Sequence, residues 1–319
     1  MSGPPLSQTS KSAPTTHHQA DWPRLGHRIR TAREKLSRSL TDLADRTHTG
    51  EYTLRQVEAG EVDPGRRVVE LLDSEFGAEG VLVDAWAQVY ISHHVRTGSR
   101  VDQLHREAGQ IRAFAPLVIP EHFQTEAYTR ALDRAERPLE PNRLVRDRPR
   151  LPRLMATGSG PPYHCLVLDE AALHRTVESP ETTREQLAHL HRLAQASYVT
   201  VHVIPSGTPH HPGLRGAFWT LSFSPRHALA YTPHPRGPGA LVTDATHIKG
   251  YTDLFATLQG AALPTAESLA LLKQAAERVR PRQAITGGTA PSAAPGPFGA
   301  AAGSASASGT VIPPRAGGE

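Results

Sequence analysis

Residues 39–60, SLTDLADRTHTGEYTLRQVEAG, decide the fold of the first third of the chain. Ser39, with Asp42 three positions later, is a helix-start signature: the hydroxyl accepts a backbone N–H of the first turn. The helix it opens is very short and turns Leu43 and Ala44 inward. Thr47-His48-Thr49-Gly50 interrupts it. A further helix is predicted from about Glu51 to Ala59, with Leu54 and Val57 inward, and Gly60 ends it. Upstream, Asp21 caps a helix whose first turn holds Pro23, and Leu25, Ile29, Ala32 and Leu36 share one face. Downstream, Asp63-Pro64 opens a fourth helix with Val68, Leu71 and Leu72 as its stripe, closed by Gly77. A fifth runs from near Glu79 through Trp86 to Tyr90.

Five short helices with a tight turn between the second and third can place the third in the major groove of DNA. Residues 25–86 resemble the Xre family of lambda-repressor-like helix-turn-helix regulators. The residues that carry the resemblance are Leu25-Gly26, Arg28, Arg30, Arg33-Glu34, Ser39, Leu43-Ala44, Thr53, Val57-Glu58 and Gly60. It implies that Glu51, Tyr52, Arg55 and Gln56 read bases. Gln pairs with adenine, Arg with guanine or a phosphate, and Glu accepts from cytosine. It also implies that Arg28, Arg33, Arg38 and Thr53 contact the DNA backbone. Three positions depart from the family pattern: Leu40 stands for a Gln, His48 for the Gly of the turn, and Gly50 for the Ser that starts the third helix. Residues 21–73 hold ten Lys or Arg and ten Asp or Glu, so attraction to phosphates must come from local clustering or from a dimer.

Beyond residue 112 the pattern changes. Tyr163 to Leu168 and Val199 to Ile204 read as strands, and 217–223 and 228–231 add two more. Helices are predicted over 180–196, 248–262 and 265–279. This order suggests a mixed α/β (α+β) domain. Residues 105–278 resemble the C-terminal domain of unknown function carried by actinobacterial Xre-type regulators. The matching motifs include Ala115-Pro116-Leu117-Val118-Ile119-Pro120, Leu168-Asp169-Glu170-Ala171-Ala172-Leu173 and His211-Pro212-Gly213. That resemblance implies a small partner protein or a ligand at this domain.

The chain is therefore read as multi-domain: a tail at 1–20, an all-α helix-turn-helix domain at 21–90, a connector at 91–112, an α+β sensing domain at 113–280 and a tail at 281–319. The tails are rich in Ser, Pro, Gly and Ala and are expected to be disordered. The 319 residues carry a net charge of +4 and a single cysteine, Cys165, which excludes an internal disulfide and a thiolate zinc cage. Neither a secretion signal nor a membrane-length apolar run is present, so a cytoplasmic, non-membrane protein is expected.

Other chemistry-bearing groups have plainer readings. Histidines 210 and 211, with His202, His227 and His234 nearby in sequence, suggest a metal, but Pro212 and Gly213 more simply make a turn. Asp169-Glu170 start a short helix, and Cys165 is expected to be buried and inert. The arginines 143, 146, 148, 150 and 153, set against Asp147, read as a solvated face. Phosphate-loop, nucleophile-elbow and dinucleotide patterns are missing. The expectation is a homodimeric regulator of double-stranded DNA, not an enzyme, with no cofactor and no metal. The alternatives are a protein-interaction module whose degenerate helix-turn-helix does not grip DNA and, more remotely, a metal-dependent hydrolase in the C-terminal domain.

Overall fold

A computed structural model describes residues 22–96, 101–136, 162–234 and 237–279. Asp21, both tails and the arginine-rich stretch 143–153 lie outside the described residues. The chain begins with five helices: α1 (Trp22–Lys35), α2 (Leu40–Thr47), α3 (Glu51–Ala59), α4 (Gly65–Phe76) and α5 (Val81–Arg96). Leu25, Ile29, Leu43, Leu54, Val57, Val69, Leu72 and Trp86 form their core, each less than 4% exposed. Two inward assignments shift. Val69, not Val68, faces the centre of α4. Leu36 is 48% exposed because α1 stops at Lys35 and Ser37 turns the chain with φ 52°.

Two buried polar side chains of this module, Asp73 and Trp86, hold backbone or side-chain partners. The Asp73 carboxylate accepts from the backbone N–H groups of Gly80, Leu82 and Val83 at 2.7, 2.8 and 3.3 Å, and so caps the start of α5. The buried Trp86 indole donates to Asp63 at 2.9 Å. Gly60, at φ 72°, ends α3; a Cβ there would lie 2.4 Å from the backbone of Pro23. Only glycine satisfies both the left-handed backbone and that approach.

The short helix α6 (Val101–Glu107) leads into the sheet domain. Glu107 reaches back to accept from the Arg66 N–H of α4 at 2.9 Å, and the Tyr90 hydroxyl donates to the Gln103 carbonyl at 3.0 Å. Burial raises the pKa of Tyr90 and of Glu107. The strands are β1 (Gln110–Ala115), β2 (Tyr163–Asp169), β3 (Val199–Ile204), β4 (Phe218–Ser222), β5 (Ala228–His234) and β6 (Gly237–Val242). They form one sheet in the order β3-β2-β1-β4-β5-β6. β1, β2 and β3 are parallel; β4, β5 and β6 continue antiparallel. The parallel half needs crossover connections, and α7 (Glu126–Glu136), α8 (Ala171–His174) and α9 (Pro180–Leu193) fall within them. α10 (Ala245–Ala261) and α11 (Thr265–Arg278) follow the last strand.

This is the mixed sheet domain the sequence suggests, with two strands it did not show. β1 begins at Gln110, inside the stretch read as connector, and it is a central strand. β6 opens with Gly237-Pro238-Gly239. The sheet has two cores. Ile111, Ala113, Leu166, Leu168, Val201, Val203 and Leu221 face the larger one, with Leu187 and Leu190 of α9 and Leu272 of α11. Phe114, Cys165, Val167 and Phe218 face the smaller one, under Phe255 and Leu258 of α10. The larger core runs on into the helical module, where Tyr90 packs on Phe223 with ring centroids 5.5 Å apart. Beside that contact, Arg226 of the β4–β5 turn donates to Asp84 of α5 at 2.7 Å.

Candidate nucleic-acid interface

The second and third helices form as Ser39 and Gly60 dictate. The Ser39 hydroxyl accepts from the Asp42 N–H at 3.0 Å. His48 closes α2 with φ 50° and ψ 35°, the left-handed conformation in which a glycine is more at ease, and its N–H reaches the Ala44 carbonyl. α3 then crosses α1 so closely that a Cβ on Gly26 would lie 2.5 Å from the Val57 carbonyl oxygen. Gly50 leaves the N-terminus of α3 without a side-chain cap. Leu40 packs against the core, a use that the glutamine expected there would not serve.

Leu54 and Val57 anchor α3, and its opposite face projects outward. Tyr52 is 72% exposed, and the Arg55 side chain 67%. Thr53 is exposed, while Glu51 and Gln56 are half-buried. Glu51 is not free: one carboxylate oxygen accepts from Arg55 at 2.7 Å and the other from the Thr41 hydroxyl at 3.0 Å.

The four residues expected to touch the DNA backbone divide. Arg28 is exposed on α1, and Thr53 is exposed on α3. Arg33 is held by Glu58 through two bonds of 2.6 and 2.9 Å, with a third to the Arg38 carbonyl at 2.9 Å, and its side chain is 13% exposed. The bond to Glu58 first, then the charges of Glu58 and Glu34, raise its pKa. Arg38 pairs with Glu75 at 2.9 Å, and Arg46 reaches the same carboxylate at 3.3 Å. Arg33 and Arg38 therefore brace the module.

The histidine-rich loop does not converge. His211 Nε2 meets Asp169 at 2.9 Å, and its Nδ1 accepts from the Gly213 N–H at 3.3 Å, so both ring nitrogens serve the turn at 212–215. His202 bonds the Leu263 carbonyl, and His227 bonds Ser224. Asp169 also accepts from the Ala171 N–H at 2.8 Å, as a helix-start residue does. Glu170 accepts from both the N–H and the hydroxyl of Ser206; the backbone bond is the first cause of its lowered pKa. Cys165 is 5% exposed, and burial pushes its thiol up to about 11.

A polar cluster unforeseen in the sequence joins α6 to the sheet. His105 Nδ1 and His122 Nε2 lie 2.5 Å apart, His164 is buried beside them, and Trp219 packs against both rings, tilted to one and edge-on to the other. Burial, then His122 and His164, hold His105 far below the ordinary histidine pKa; burial, then His122, takes His164 down to about 3. Three lone histidines on separate elements give no signal in sequence.

A model described as a domain of unknown function, DUF5753, matches residues 99–274, more than half of the chain. The chain belongs to the DUF5753 family. A model described as a helix-turn-helix domain matches residues 24–86, which hold α2, α3 and the turn between them. The DUF5753 match begins just before α6 and ends within α11, so it spans the whole sheet. Comparison with curated proteins and with solved structures returned no match. Among the described residues no helix is long and apolar enough to cross a membrane.

Proposed function

We propose that this DUF5753 protein is a sequence-specific, DNA-binding transcriptional regulator of the Xre type. α3 enters the major groove, with Tyr52, Arg55 and Gln56 toward the bases and Thr53 and Arg28 toward phosphates. The observation that carries this is the 72% exposure of Tyr52 at the start of an α3 whose other face is anchored by Leu54 and Val57. A recognition helix must project in this way. Because Arg33 and Arg38 are held within the module, one copy offers few free cations, and a homodimer on a two-fold site supplies the rest. The DUF5753 domain receives a protein or ligand signal and passes it to α5 through the Arg226–Asp84 and Tyr90–Phe223 contacts. No reaction is assigned to it, and the protein acts in the cytoplasm.

The test is selection of bound sites from a random-sequence duplex pool with the full chain, followed by salt titration on the selected duplex. Affinity is expected to fall steeply with salt, with a log–log slope of about −0.9 per phosphate contacted. Gln56→Ala is expected to change the selected sequence. Failure to enrich any sequence, together with binding that ignores salt, leaves the protein-interaction alternative.

A further inference from the structure

Building on that reading of α3, we propose that Thr41, Glu51 and Arg55 form one unit that reads a guanine: Arg55 meets the base, and Glu51, steadied by Thr41, is a positioning residue that aims it. Thr41 lies on α2 and the other two on α3, so the unit spans the turn of the motif. Glu51 holds Arg55 through one oxygen at 2.7 Å and Thr41 through the other at 3.0 Å. With each oxygen already accepting a hydrogen bond, Glu51 is better suited to orienting a neighbour than to taking a proton donor from cytosine.

Arginine has five N–H donors and only one goes to Glu51, which leaves enough for a two-pronged contact. Guanine offers two adjacent acceptors, N7 and O6, in the major groove, whereas adenine puts a donor at the second place. Arg55 is 67% exposed on the outward face beside Tyr52, where such a base would lie. An exposed arginine samples many rotamers, and one held in place beforehand loses fewer on binding. As a stability device an exposed pair of this kind is weak, so base preference, not melting temperature, reports on it. The carboxylate also repels phosphates, so its removal separates the two effects by tightening binding to arbitrary DNA while blurring the preference for guanine.

The test uses the full chain and the duplex selected from the random pool, with guanines replaced one at a time by 7-deazaguanine, which lacks the N7 acceptor. At one guanine per half-site the wild type is expected to lose about tenfold in affinity, and Arg55→Ala to show no such loss. Glu51→Ala should shrink the loss to a few-fold, with tighter binding to unselected duplex and an unchanged melting temperature. Glu51→Gln, which keeps an acceptor for Arg55, should restore most of it, and Thr41→Val should fall between wild type and Glu51→Ala. An undiminished loss in Glu51→Ala overturns the positioning role and leaves an ordinary solvent ion pair. Insensitivity of Arg55→Ala and wild type alike at every guanine, on a duplex still selected and salt-dependent, overturns guanine reading while the regulator reading stands. No enriched sequence at all removes both.

Discussion

In the helix-turn-helix module charged side chains hold one another, Arg38 and Arg46 with Glu75 and Arg55 with Glu51 toward the surface, and Arg33 with Glu58 largely buried. In the sheet domain many of the polar groups that shape the fold are histidines, amides and hydroxyls, and they are buried. His105, His122, His164, Gln124, Gln186, Thr183 and Ser268 are each less than 5% exposed. Gln186 of α9 holds the segment that leads into α7, accepting from the Thr125 N–H at 2.7 Å and donating to the Phe123 carbonyl at 2.8 Å. A surface pair that is broken is replaced by water. A buried group that loses its partner keeps its desolvation cost. The module should thus tolerate the loss of its exposed pairs, and the sheet domain should not tolerate changes to its buried network.

Three perturbations sharpen that contrast. The largest effect is expected from Gln186→Leu, which leaves two backbone groups buried and unpaired; a loss of about 3 kcal/mol should appear as an earlier urea midpoint followed at Trp219. A midpoint unchanged by this variant would erase the difference between the two regions.

Acid comes next. His105 and His164 have folded pKa values depressed by burial, so the unfolded chain binds more protons below about pH 6.5. The stability they contribute is complete above that pH and drains as pH falls toward the folded value, about 3 for His164. Between pH 7 and 5.5 the two should cost about 2.5 kcal/mol, and His164→Phe should flatten the profile, as read by thermal melts across pH.

The smallest effects belong to α1. Arg33→Ala breaks a largely buried pair and should cost about 2 kcal/mol, between the values for surface and fully buried pairs. Arg30→Ala, three residues earlier, removes only an exposed partner of Glu34 and should leave the melting curve of the module in place. Equal losses in the two would show that the module, too, depends on its surface charges.

Much of the fold was legible in residue order. The inward stripes of α1 to α5 repeat every three or four residues. β2 stands out as an apolar run because a strand buried on both faces favours apolar residues, and β3 by the alternation of Val199, Val201 and Val203 with the half-buried Thr200 and His202. β1 was not legible: Gln110-Ile111-Arg112-Ala113-Phe114-Ala115 carries a polar residue, a cation and two alanines, and it becomes central only because β2 and β4 flank it. β6 was hidden by glycine and proline, which signal a turn when read locally. At the candidate interface, the exposure of Tyr52 and Arg55 followed from helical spacing. The engagement of Arg33 and Arg38 did not, since their partners lie 25 and 37 residues away.

Residue order by itself determined the five N-terminal helices, the Ser39 start and the Gly60 end, the turn that presents α3 and the change of character beyond residue 112, because these depend on neighbours within a few positions. Tertiary structure alone decided which arginines remain free for a phosphate, which histidines meet, and which strand lies at the centre. Each of those depends on distant segments meeting in space, and there burial and pairing outweigh any local preference.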